Sequence, residues 1–550
     1  MASGLKRNVH AVLAGIMYSS LSASPVSVTA SLSAAISDDG GSGEDRISAL
    51  SDSLLRNVIC RLPVKDGARS ATLSRRWRGL WRATPLVLDD AHLLMDGPGV
   101  DWRAPAAAVV SRVLASHPGP FHWVHLISNL IDKSNQDALA DWLRLLADKG
   151  VENLILVNRP WFSDAAPVQL PPSILCCGTS LRRLYLGVWL FPFSCDRPPR
   201  SPGVFPHLRE LGFCNGVMLV RDLEYVLACS PKLEIFALIS NYGWPDRVRI
   251  GSHSLRCVVI WNFMVHEVAV IATPQLQRLI FYYAFCGPGR TVTVKIGYAP
   301  QLTVLGYLDT GKQVLEIGNT VIKVEFILSC SSYFEGAGLI SIELNYQLDH
   351  SYNNLQSRVT EASPNTVVPS IKVLALRVCF RVPEEVRSLL SFLRCFPEVQ
   401  TLHIMASDND MDYCEDQGEV TDMDKLNFTF WQGVGPIECV QSRVKKVVFD
   451  QFSGGPNQVE FLKLVLGRAV LLQKVMVLLA GPESITVSEA TCKLEPLASK
   501  RMWASKVLRK PSLEVHERAA GPIWRYNEAS DLSISDPFIS QGTNVTFVSS

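Results

Sequence analysis

LRRLYL, residues 181–186, is the stretch whose reading decides the fold. Leu181, Leu184 and Leu186 are apolar, and Arg183 and Tyr185 stand beside them. The last two apolar positions are two apart, the spacing at which side chains leave a strand on one face. The same apolar-x-x-apolar-x-apolar spelling occurs upstream at Val151-Leu154-Leu156. Downstream it returns at Leu208-Leu211-Phe213, Leu233-Phe236-Leu238, Leu255-Val258-Ile260, Leu276-Leu279-Phe281, Leu302-Leu305-Tyr307, Val321-Val324-Phe326 and Leu339-Ile342-Leu344. Four further copies are Ile371-Leu374-Leu376, Val399-Leu402-Ile404, Val444-Val447-Phe449 and Leu472-Val475-Val477. One such strand cannot bury its apolar face alone. Stacking many side by side buries a continuous core and predicts an α/β solenoid with a parallel, curved sheet.

Successive starts among the first eight copies lie 19 to 30 residues apart. That is close to the period of leucine-rich repeats, with an irregularity that predicts an uneven solenoid. The alternation also names the residues on the opposite face of the strands. Tyr185, Ile235, Trp261, Arg278, Tyr282 and His403 fall there, with Val259 and Ile280. An apolar, aromatic strip on a wet surface marks a recognition site, so these six are the candidates for holding a target; the alternative is a loop or helix that covers them.

Composition narrows the function. Of 550 residues, 53 are Lys or Arg and 52 Asp or Glu, a net charge of +1. A dedicated nucleic-acid binder would need a basic face, so no nucleic-acid partner is expected. With 47% apolar residues a large core can form. The 14 cysteines contain no C-x-x-C pair and read as reduced thiols. Val258 to Ile271 is broken by Asn262, His266 and Glu267, and no membrane span is expected. Residues 1–37 hold Lys6, Arg7 and His10, nine serines and no acid. They read as a disordered extension, with a targeting segment as the alternative.

Between a DDGGSGE linker (38–44) and Leu88 lies a small helical block. Leu54, Leu55, Val58, Ile59 and Leu62 fall on one helical face. Ser51 is placed to cap that helix and Pro63 to end it. A second periodic stretch carries Ala68, Ala71, Thr72 and Leu73 into Trp77, Leu80 and Trp81, and Arg69, Arg75, Arg76, Arg78 and Arg82 along it read as a solvated face.

Motifs that carry chemistry are weak. Asp408-x-Asp410-x-Asp412 has Tyr413 where a calcium loop needs glycine. Gly306-x-x-x-x-Gly311-Lys312 is followed by Gln313 and a strand-like alternation, so it reads as a turn between repeats and not a phosphate loop. His122 and His125 lack further ligands and read as core or rim side chains. No nucleophile, base or carboxylate pair stands out, so no catalytic residue, metal or cofactor is expected.

The helical block carries a resemblance. DRISALSDSLLRNVICRLPVKDGARSATLSRRWRGLW, residues 45–81, resembles the F-box of plant F-box proteins. KLNFTFWQGVGPIECVQSRVKKVVF onward to about Leu479, and the later WRYNEASDLSISDPF, resemble the FBD domain that many of those proteins carry. Two departures stand out: Leu50-Ser51-Asp52 replaces the usual Leu-Pro-Asp, and Gly67 stands where a better helix former is usual. The resemblance implies a non-catalytic substrate receptor of a Skp-cullin-F-box ubiquitin ligase. Its F-box would dock on a Skp-type adaptor, and through it a cullin, while the repeats hold a target protein in the cytoplasm or nucleus. By match to the motif, Leu50, Leu54, Leu55, Val58, Leu62, Pro63 and Leu73 are the adaptor-contact candidates, some of which belong to the block's own core. The expected organisation is an extension (1–44), an F-box (45–90), irregular repeats (100–425), an FBD-like α/β unit (426–500) and a tail (501–550). A repeat-based binding module acting outside a ligase is the alternative.

Overall fold

The computed structural model describes residues 46–93, 106–129, 131–158, 168–191, 204–239, 245–285, 291–317, 320–322, 371–407, 426, 428–481, 484–500, 511–517 and 526–538, with 21 and 24–26. The acidic run at 408–424, the repeat at Leu339, most of residues 1–37 and most of the basic run at 500–510 lie outside the described residues. The described part of the extension is not loose. Leu21 and Val26 are buried, and the Ser24 hydroxyl hydrogen-bonds Asp89. The chain divides into two compact units, Met1–Pro245 and Asp246–Ser550.

The first unit opens with helices α1 (Asp52–Ile59), α2 (Val64–Ser70) and α3 (Arg75–Ala83). The Ser51 side chain caps α1 by accepting from the Leu54 N–H at 3.4 Å, as expected. Pro63 does not end that helix. α1 stops at Cys60, and Pro63 begins α2, its carbonyl accepting from the Asp66 and Gly67 N–H groups at 2.9 Å. Proline suits a helix entrance because its φ is preset and the missing N–H would be unpaired there anyway. Ser74 caps α3 through the Trp77 N–H. Leu55, Ile59, Val64, Trp77 and Leu80 form the core of the block.

A parallel sheet follows: β1 (Leu86–Asp89), β2 (Phe121–Leu126), β3 (Asn153–Val157), β4 (Arg183–Gly187), β5 (Glu210–Cys214) and β6 (Ile235–Ile239). Each strand pairs in parallel with the next. Val124, Leu154, Leu184, Leu211 and Phe236 stand side by side in one buried rung. β2 spells Phe121-Val124-Leu126, the repeat pattern, so the array starts ahead of residue 151. Between strands run α4 (Ala106–Ser116), α5 (Gln136–Asp148) and α6 (Val220–Ala228). α5 buries Leu139, Trp142, Leu143 and Leu146, a helical stripe.

In the second unit strands alternate between two sheets. In chain order they are β7 (Arg247–Gly251), β8 (Cys257–Met264), β9 (Glu267–Ala272), β10 (Arg278–Phe285), β11 (Val292–Tyr298), β12 (Val304–Asp309), β13 (Gln313–Ile317) and β14 (Thr320–Ile322). Next come β15 (Val373–Val378), α7 (Pro383–Cys395), β16 (Thr401–Ala406), α8 (Phe428–Gly433), α9 (Glu438–Ser442) and β17 (Lys446–Phe452). The chain continues through α10 (Pro456–Arg468), β18 (Lys474–Leu479), α11 (Val487–Lys500), β19 (Ser512–His516) and α12 (Tyr526–Ser530).

The main sheet runs β8-β10-β12-β15-β16-β17-β18-β19, all parallel. Its rung is Val258, Leu279, Leu305, Leu374, Leu402, Val447, Val475 and Leu513. The second sheet, β14-β13-β11-β9-β7, was not expected. β7 and β11 alternate with period two, burying Val248 and Ile250, then Val292, Val294 and Ile296, while β9 buries Val268, Ala269 and Val270 in a row. That pattern makes strands where the 3.6-residue pattern of α7, with Val386, Leu389, Leu390 and Leu393 buried, makes a helix.

Two repeat copies need correction. Val321 lies on β14, antiparallel to β13 in the smaller sheet, while the main ladder passes from β12 directly to β15. Tyr307 does not join the Leu305 rung. The register shifts between Leu305 and Leu308, so Tyr307 faces the opposite side of the sheet and meets Tyr282 at 6.1 Å between ring centroids. Gly306 makes this possible: its φ is +131°, and a Cβ there would collide with the Ala375 backbone.

Candidate docking surfaces

Two surfaces stand out. On the helical block, α1 presents two faces. Leu55 and Ile59 point inward against α3, so Leu55, an expected adaptor contact, is internal core. The reason is helical spacing: Leu54 and Val58, also four apart, turn outward. Leu54 is 54% and Val58 46% exposed. Leu73, in the turn before α3, is 67% exposed, and Ile47, ahead of α1, is 61%. Leu50, Leu62 and Pro63 are half-buried. Arg76 ties together the segments that carry the four exposed side chains. Its guanidinium donates to the Ser48 and Leu50 carbonyls at 2.6 Å and to the Asp52 carboxylate at 2.9 Å. One member of the arginine run therefore ties the Ile47 turn and the start of α1 to the start of α3. Sequence reading missed this role because a long-range main-chain contact leaves no local signal. Trp77 is buried in the block, and Trp81 meets His117 edge-on at 4.8 Å.

The second surface is the face of the sheets opposite the rungs, for which an open strip and a covering loop or helix are the two expectations. It is covered. Tyr185, Trp261, Arg278 and His403 are buried, and Ile235 and Tyr282 are half-buried. In the first unit the Tyr185 hydroxyl donates to Glu210, which also accepts from Arg183 at 2.6 Å. The Tyr185 ring lies over Gly212, where a Cβ would strike it at 2.3 Å. In the second unit the cover is the chain's own C-terminal segment, residues 526–538. α12 packs on β8. The Arg278 guanidinium donates to the Ala529 and Asp531 carbonyls at 2.9 Å and to that of Ile534. His403 Nε2 lies 3.0 Å and 3.1 Å from the Asp536 carboxylate oxygens, and Lys446 Nζ donates to the same group at 3.3 Å. The Phe538 ring sits against Tyr307 at 5.0 Å and His403 at 5.3 Å. Burial pushes the Asp536 carboxyl up, but the charge and hydrogen bond of His403, with Lys446, outweigh it and hold the group at about 2.

The remaining motifs resolve as structure. The His125 ring pairs with Asp89 at 3.4 Å, and His122 is half-buried beside it on β2. At Gly311-Lys312 the Asp309 carboxylate accepts both backbone N–H groups, making a turn from β12 into the strand β13. Among the described residues there is no group of three or more His, Cys, Asp or Glu placed to hold a metal. No described helix is long and apolar enough to cross a membrane.

Comparison with known proteins adds names to this geometry. Residues 139–355 and 350–404 match the family model described as FBD-associated F-box protein At5g56370, LRR repeats, and residues 432–477 match the FBD model. The chain is 21% identical over 442 residues to the F-box/FBD/LRR-repeat protein At1g13570 of Arabidopsis thaliana, covering 80% of this chain and 92% of the relative. The chain is similar to plant F-box/FBD/LRR-repeat proteins, with its LRR and FBD segments matched by family models. It is also 27% identical over 243 residues to the F-box/LRR-repeat protein At3g26922, covering 44% of this chain and 68% of the relative. With the FBD-associated F-box protein At5g56370, again of Arabidopsis thaliana, it shares 29% identity over 291 residues, 52% of this chain and 60% of that one. In this chain the FBD match spans α9, β17, α10 and most of β18. The FBD therefore extends the repeat ladder, pairing in parallel with β16.

Proposed function

We propose that this chain is the substrate-recognition subunit of a Skp-cullin-F-box ubiquitin ligase, working in the cytoplasm or nucleus. The observation that carries the reading is the quartet Ile47, Leu54, Val58 and Leu73, exposed on a block whose core is already filled by Leu55, Ile59 and Trp77. Apolar side chains gathered on a small helical surface are what a partner protein covers. A Skp-type adaptor is the partner the F-box resemblance implies, and the adaptor joins the receptor to a cullin. The receptor performs no covalent step. It holds the target's lysine near a ubiquitin-charged conjugating enzyme, so that transfer becomes effectively unimolecular.

The test is co-purification of the full chain with a Skp-type adaptor. Leu54→Asp with Val58→Asp should abolish it while leaving the unfolding midpoint nearly unchanged, because both side chains already face solvent. A folded double variant that still retains the adaptor would remove this docking surface from consideration.

A further inference from the structure

The cover over the second unit's sheet has the composition of a ligand. A segment meant to be sealed permanently over a sheet is best met by apolar side chains, since burying charge without a matched partner is costly. Here the sheet offers Arg278, His403 and Lys446 beside the aromatic rings of Trp261, Tyr282 and Tyr307. Arg278 reads three main-chain carbonyls, which any peptide of similar path supplies. Two side-chain contacts of the segment are polar or aromatic pairings, the Asp536 carboxylate between His403 and Lys446 and the Phe538 ring between Tyr307 and His403, while Tyr526 and Ala529 are buried as well. The segment adds no strand to the sheet, so its departure would break no ladder hydrogen bond.

We propose that the face carrying Arg278, Tyr307, His403 and Lys446 is a peptide-recognition site, occupied at rest by residues 526–538 and open to a target segment with a carboxylate followed two residues later by an aromatic ring. The proposal rests on the reading that the repeats hold a target, and it names the chemistry of that target. The resident segment sets a threshold: only a target that outcompetes a tethered copy of the motif is retained.

The test uses the full chain and a labelled peptide of residues 524–540, WRYNEASDLSISDPFIS. A full chain carrying Asp536→Ala and Phe538→Ala vacates the site and should capture this peptide at least about tenfold more tightly than the wild-type chain does. A peptide with the same two substitutions should not be captured. A folded variant that ignores the wild-type peptide overturns the proposal, and so does equal capture by variant and wild type. Should the variant fail to fold, the full wild-type chain is nicked at a protease site placed within residues 519–523. Exchange of the released segment for added peptide supports the proposal, and a segment that stays under a large excess of peptide overturns it. None of these measurements needs an adaptor. Intact peptide exchange with lost adaptor co-purification therefore defeats the ligase reading alone, and the reverse result defeats this site alone.

Discussion

Single residues carry much of what the sequence could not say. Leu54 and Leu55 are chemically alike and adjacent, yet one is exposed and the other is core. Hydrophobic spacing puts Leu54, Leu55, Val58, Ile59 and Leu62 on one helical face, but which part of that face meets the chain's own core depends on where α3 lies. Tyr307 is the strand equivalent: its spelling fits the rung, and a one-residue register shift sends it to the other face. Gly67 was read as a weakness in α2, and the structure makes that concrete. A Cβ at Gly67 would meet only the Leu86 side chain at 3.7 Å, an ordinary contact, and no positive φ excludes a side chain there. Gly67→Ala should therefore stabilise the chain by about 0.5–1 kcal/mol, through helix propensity and a restricted unfolded state. Chemical denaturation measures it, and a loss of stability would show that the Leu86 contact is tighter than this distance allows.

At the scale of elements, what is legible is what repeats locally. β3, β4, β5 and β6, and then β8, β10, β15, β16, β17 and β18, fall where the apolar spelling puts them. The second sheet was missed because Val248-x-Ile250 and Val268-x-Val270 are too short to announce strands between copies of a stronger motif. The C-terminal segment was recognised as FBD-like, but its resting place was not legible, since Asp536 meets a histidine 133 residues away. That contact has a pH signature. The Asp536 carboxyl is depressed from 3.8 to about 2, facing His403 and Lys446 with Arg278 nearby. A depressed folded value means the stabilisation is present above the unfolded value near 3.8 and is lost as pH falls toward 2. Wild type should exceed Asp536→Asn by about 2 kcal/mol at pH 5, and the difference should shrink to a few tenths of a kcal/mol by about pH 2 and vanish near pH 1. Paired denaturation curves across that window decide it, and a pH-independent difference would mean the carboxylate's charge is not what holds the segment.

Across the whole molecule, the cysteines are scattered with no C-x-x-C pair, and the ten described cysteines are all free. Their environments differ sharply in both units. Cys177 and Cys214 in the first unit and Cys439 in the second are buried, and desolvation pushes each thiol up to about 12; Cys395 rises to about 11 for the same reason. Cys176 and Cys492 are exposed. Only the thiolate attacks an alkylating reagent, and a thiol near 12 is ionised to roughly one part in 10⁴ at pH 8. Because each repeat is held by its neighbours, the buried thiols gain reactivity only when their strands or flanking helices come away from the stack. Brief alkylation of the native chain at pH 8, mapped by mass spectrometry, should mark Cys176 and Cys492 and leave Cys177, Cys214, Cys395 and Cys439 unmodified. Adding urea should bring the four protected sites into reaction only in the range where the far-ultraviolet circular dichroism falls. Cys176 and Cys177 make the sharpest comparison, since the two neighbours share one backbone segment and differ only in which way the side chain turns. Equal native labelling of that pair would mean that the Pro172–Thr179 segment is not packed on the stack in solution.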